Sequence, residues 1–188
     1  MAAVTILIIP GWLLPGALLS RNSAKGGRKA STHSPTAIRP GRLSYALRAG
    51  FHAAGYPLQT IGPVGQGLIE VYPHPALIEF AASPERLPYK FEKRGKYWPQ
   101  LDGQQRREKI LAEWRRIGVL LEDKLAGAAA VVAAFDGEDA PGRLWKAQED
   151  QIDAMICAAV AVHALDGQAR PFGDDRSAIW IPVPRRSG

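Results

Sequence analysis

The sequence predicts an α/β protein, and three observations carry that expectation. Short β-branched runs stand at Leu68–Tyr72 and Ser177–Pro182. Between them lie two long segments with apolar residues at helical spacing, about 104–126 and 148–165. Gly and Pro punctuate the joins.

The opening apolar stretch, Val4 to Leu19, is broken by Pro10, Gly11, Pro15 and Gly16. It is too short for a membrane span, which needs roughly 20 apolar residues. It also lacks the preceding positive residues of a secretory signal. Val4–Ile9 reads as a buried strand. Residues 20–42 read as a polar loop, in which His33 is either a phosphate contact or simply solvated. Arg42–Ala54 reads as a helix with Leu43, Leu47, Phe51 and Ala54 on one face, stopped by Gly55-Tyr56-Pro57.

Glu70 stands inside the first strand run, between Ile69 and Val71. A carboxylate among apolar neighbours is costly to bury without a partner. Alternation lets it face a cleft, as a functional group, or face solvent with no role. Pro75–Phe80 reads as a short helix. Leu87-Pro88-Tyr89-Lys90 and the basic Lys93, Arg94 and Lys96 follow, with Tyr97 and Trp98 beside them. Aromatics next to bases either stack on nucleotides or pack a loop.

Asp102, with Gln105 three residues on, reads as a capped helix start. The helix from about 104 to 126 buries Ile110, Trp114, Ile117, Leu121 and Leu125. Ala128–Phe135 fits helix or strand. Asp136–Arg143 and Gly167–Asp175 read as loops, and residues after Pro182 as a tail. Within the helix 148–165, Ile152, Met155, Ile156, Ala159 and Val160 form the apolar stripe. Asp150 and Asp153 share a face three residues apart. They are either acids suited to a helix start or ligands for a hard divalent cation, which prefers carboxylate oxygen.

The chain has 188 residues, 46% hydrophobic and 22% charged, enough for one domain with a core. One cysteine, Cys157, excludes a disulfide framework and a cysteine-ligated zinc site. It is expected to be a buried packing residue in a reducing cytoplasm. Net charge is +6. Residues 1–69 hold seven Lys or Arg and no acid, so the positive excess is N-terminal. Such a segment suits nucleic acid as a partner, or is a solvated basic loop. No phosphate loop, nucleophile elbow or internal repeat is present, and oligomeric state is not legible.

Three segments together resemble a known family: Ile69-Glu70-Val71-Tyr72-Pro73, Leu87-Pro88-Tyr89-Lys90, and Glu149-Asp150-Gln151-Ile152-Asp153-Ala154 with the Ala-rich helix after it. Gly167 and Gly173-Asp174 through Ile179-Trp180-Ile181-Pro182 fit too. They resemble the bacterial and archaeal family of predicted RNase-H-like nucleases, domain of unknown function 429. The resemblance covers about residues 28–184, leaving 1–27 divergent and 185–188 a tail. It implies an RNase-H-like mixed sheet flanked by helices. It also implies carboxylates that hold Mg²⁺ or Mn²⁺ for phosphodiester hydrolysis. By matching positions, Glu70, Asp150 and Asp153 would be the metal ligands, and Lys90 a phosphate or transition-state contact. The family's opening strand carries an Asp, which an acid-free 1–69 cannot supply. The expectation is therefore a truncated or divergent member with its opening strands missing, a sheet edge left bare and hydrolysis impaired. The alternative expectation is a non-catalytic nucleic-acid-binding remnant.

Overall fold

A computed structural model describes residues 4–7 and 42–183. His33, most of the basic N-terminal segment and the tail from 184 on fall outside the described residues. The chain divides into two compact units, one of residues 1–86 and 160–188, the other of residues 87–159.

The first unit is built on a small open mixed sheet. Its strands are β1 (Val4–Leu7), β2 (Gly67–Val71), β3 (Ala169–Gly173) and β4 (Ala178–Pro182), in the order β1-β2-β4-β3. β1 and β4 both run parallel to β2, with Leu7 and Ile179 opposite Glu70. β3 is antiparallel to β4. The edge of β2 is covered rather than bare, because β1 pairs along it. The α/β class holds.

All five residues of β2 and all five of β4 are buried. That is the pattern of strands covered on both faces, and it explains their uninterrupted apolar character. The half-exposed alternation expected around Glu70 is accordingly absent. β3 corrects the loop expected over 167–175. Its sequence, Ala-Arg-Pro-Phe-Gly, carries little strand propensity, and its edge position tolerates Pro171. The turn into β4 is closed by Asp174, whose carboxylate accepts from the N–H groups of Arg176 (2.9 Å) and Ser177 (3.0 Å). Those bonds hold its pKa below the usual carboxylate value. Gly173 is required here, because a Cβ would run into the Ser177 backbone.

Helix α1 (Arg42–Ala53) forms as expected and stops before Gly55 at φ +88°. Its apolar face is shallow: Leu47 is exposed and Phe51 only half-buried. Helix α2 (Pro73–Phe80) starts two residues earlier than expected, with proline at its first turn, where no N–H is needed. Residues Pro73–Ile78 are all buried. Trp180 anchors the loop before β2 by donating its indole N–H to the Gln59 carbonyl at 2.7 Å.

The second unit is helical. A 3-10 turn (Phe91–Lys93) leads into α3 (Arg94–Tyr97), then α4 (Gly103–Leu121), α5 (Ala128–Ala133) and α6 (Gly142–Leu165). Residues of α6 up to 159 belong to this unit, and those from 160 to the first. The Asp102–Gln105 capping box is present in both directions. Ile110, Trp114, Ile117 and Leu121 are buried as the helical spacing required.

α4 ends at Leu121, short of the expected 126, because Glu122 turns back. Its carboxylate accepts from the N–H groups of Gly127 and Ala129, both at 2.8 Å. This caps α5 where Gly127, at φ +89°, has no side chain to do so. The ambiguous 128–135 segment is therefore a helix. α5 lies close on α4 at Gly118, where a Cβ would meet Ala129 and Val132 at 3.1–3.2 Å.

α6 begins at Gly142, six residues before the expected start, and corrects the loop expected through Arg143. Trp145 in that added turn is 1% exposed. It stacks on Phe91 (4.6 Å between centroids) and packs against Trp114 (5.5 Å) and Phe135 (5.2 Å). Among the described residues, no helix is long and apolar enough to cross a membrane.

Candidate metal centre

The candidate site of the second unit lies where α6 passes segment 89–91, which leads into the 3-10 turn. Glu149, Asp150 and Asp153 each offer a carboxylate oxygen, and these oxygens lie within 4.8 Å of one another. The spacing explains the grouping. Residues at i and i+4 share a helix face, and Asp150 flanks it. The longer helix also revises one expectation. Asp150 and Asp153 sit two turns or more beyond Gly142, so the helix-start dipole does not account for them.

Segment 89–91 fixes two of the three acids. Tyr89 donates its hydroxyl to Asp153 Oδ1 at 2.7 Å. The Phe91 N–H donates to Glu149 Oε2 at 2.7 Å. Tyr89 is itself held, since Trp114 donates its indole N–H to the Tyr89 carbonyl at 2.7 Å. Two lysines then face the remaining oxygens. Lys90 Nζ pairs with Asp153 Oδ2 and lies 3.4 Å from Glu149 Oε1. Lys146 Nζ lies 3.0 Å from Glu149 Oε1 and 2.6 Å from Asp150 Oδ1.

Burial shapes the electrostatics. Desolvation pushes the Asp153 carboxyl above its ordinary value against the opposing pull of Lys90 and Tyr89. The Tyr89 hydroxyl is pushed well up by burial and then by Asp153. Burial lowers the Lys146 ammonium pKa, but its hydrogen bonds to Asp150 and Glu149 outweigh this and hold it above the usual lysine value. Cys157, one turn beyond Asp153, is fully buried. Burial first, and Asp153 second, hold its thiol up. It is the packing residue the sequence suggested.

Of the four residues singled out in the sequence, three meet here: Lys90, Asp150 and Asp153. Lys90 engages the carboxylates. Glu70 belongs to the first unit. It is 1% exposed, and neither carboxylate oxygen has a hydrogen-bond partner among the described residues. Burial raises its pKa from 4.5 to about 7, against a lowering influence from Arg48. Sequence reading passed over Glu149, Lys146 and Tyr89. Glu149 was available as the i−4 neighbour of Asp153, and Lys146 as the i−4 neighbour of Asp150. Tyr89 carried no local signal.

Glu70 makes stability depend on pH. The unfolded chain ionises this group near 4.5 and the folded chain near 7. Between those values the native state keeps a proton that the unfolded state has lost. Its contribution is full below 4.5 and is lost as pH rises through 7. The expected loss is on the order of 3 kcal/mol. Urea midpoints from pH 5 to about 8 should fall for the parent and lose most of that slope in Glu70→Gln. Equal slopes in the two proteins would refute the assignment.

The fold and this carboxylate–lysine site define an α/β protein with a candidate cation centre. The chain belongs to the family described as protein of unknown function (DUF429), which matches residues 23–178. No match was found among curated proteins or among solved structures.

Proposed function

We propose that the protein is a divalent-cation-dependent hydrolase of phosphodiester bonds in nucleic acid. The observation that carries the reading is the convergence of the Glu149, Asp150 and Asp153 oxygens within 4.8 Å. The resemblance to RNase-H-like nucleases supports it. Carboxylate oxygens are the donors that Mg²⁺ and Mn²⁺ prefer, so the residues present fit such an ion. Bound there, it would polarise a phosphodiester oxygen and acidify a water.

The chain's own groups define what binding requires. Tyr89 and the Phe91 N–H lock Asp153 and Glu149 in orientation before any ion arrives. Lys90 and Lys146 neutralise most of the carboxylate charge. They must swing aside for a cation to enter, and once displaced they are free to contact phosphate. The family resemblance implies this role for Lys90.

Millimolar Mn²⁺ or Mg²⁺ should raise the thermal midpoint of the parent by a few degrees. An ion at about ten times its Kd contributes about 1.4 kcal/mol. Asp150→Asn/Asp153→Asn should abolish the shift. A midpoint that ignores metal in both proteins would defeat the reading. It would favour a second one, in which the paired ammoniums fill the site permanently and the protein binds nucleic acid without cleaving it. The observation behind that alternative is that each of the three carboxylates already carries a lysine.

A further inference from the structure

Residues 93–116 carry eight Lys or Arg and three Asp or Glu. Part of this charge is concentrated where α3 meets the first turn of α4. The Arg94 guanidinium lies over the Phe91 ring at 3.8 Å and donates to the Phe91 carbonyl at 2.8 Å. Arg106 reaches back from α4 to donate to the carbonyls of Trp98 (2.9 Å) and Pro99 (2.8 Å). Its guanidinium passes so close to Gly95 that a Cβ there would lie 3.7 Å from it. Among the described residues no carboxylate pairs with Arg94, Arg106 or Arg107. Repulsion from Arg107 and Arg106 adds to burial in lowering the Arg94 pKa.

We propose that Arg94, Arg106 and Arg107, with Lys93 and Lys96 beside them, bind the phosphate backbone of single-stranded nucleic acid. Backbone contacts hold Arg94 and Arg106, the like charge of Arg107 lies near, and none of the three pairs with a carboxylate among the described residues, so an arriving anion relieves their repulsion. Guanidinium groups match phosphate geometry. Tyr97 and Trp98 lie within the same segment, half-buried and 5.6 Å apart between centroids. They give a base a ring to stack on, which a single strand can use and a closed duplex cannot. The assignment rests on the proposed action on nucleic acid and supplies its substrate-holding surface. The acid-free N-terminal segment pointed to the same partner from a different part of the chain.

The test uses the whole chain in chelator, with an oligothymidylate of about 20 nucleotides followed by fluorescence anisotropy across a salt series. Lys96→Gln/Arg107→Gln removes two exposed cations that make no described contact. It should weaken binding about tenfold at low salt and reduce the salt slope by about 1 to 1.5. Arg115→Gln/Arg143→Gln removes the same charge elsewhere and should change the slope far less. Equal losses in the two doubles would reduce the effect to net charge and overturn the proposal. Binding to anionic phospholipid vesicles with none to the oligonucleotide would also overturn it. No divalent cation is free in this assay, so its outcome stands apart from the thermal response to Mn²⁺.

Discussion

Replacing Trp145 with alanine is expected to cost about 4 kcal/mol, the range for removing a large aromatic from a core. The indole is 1% exposed and touches three other aromatic rings. Gly137, at φ +73°, lacks a Cβ because one would run into it. The N–H of this indole has no hydrogen-bond partner among the described residues. Trp145→Phe therefore removes ring volume but also a buried orphan donor, and its cost should be only about 1 to 2 kcal/mol. Urea unfolding monitored by far-UV circular dichroism reads both. A loss under about 1 kcal/mol for the alanine variant would show that the aromatic cluster does not organise the unit.

Glu149→Ala is expected to be nearly as damaging, about 3 to 5 kcal/mol, the range for breaking a buried ion pair from one side. The substitution strands the Phe91 N–H, whose acceptor is Glu149 Oε2, and takes a carboxylate from both Lys90 and Lys146. Glu149→Gln keeps an acceptor for the Phe91 N–H and loses only charge, so it should cost roughly half as much. The same denaturation series separates the two contributions. A change within about 0.5 kcal/mol in both would mean the lysine pairs behave as solvated surface pairs.

The two predictions concern residues of very different legibility. Trp114 and its stripe on α4 were readable, because burial there follows helical periodicity. Trp145 was not, because Gly142 weakens the helix signal and Pro141 reads as loop. Packing against Phe91 and Trp114 decides that turn. β2 and β4 were readable as apolar β-branched runs, whereas β3 exists only through its pairing with β4.

At the site, Asp150 and Asp153 were legible as a spaced pair of acids, and Lys90 only through the family resemblance. Their mutual engagement was not. Which carboxylate a lysine selects depends on the meeting of α6 with residues 89–91, across some sixty positions of sequence. Glu70 was legible as an anomaly, an acid in an apolar strand. The sequence did not disclose that both faces of its strand are covered, and that coverage raises its pKa.

The return of Glu122 to the N–H groups of Gly127 and Ala129 adds a side-chain clasp to a corner that the backbone also closes. The N–H groups of Lys124 and Leu125 donate to the Leu121 carbonyl, and the Ala128 N–H donates to that of Leu125. The carboxylate spans residues 123–126 like a bridge, carrying the start of α5 from the end of α4. The α4–α5 corner is thus fastened twice, by a side chain and by the chain itself, where the two helices come close at Gly118.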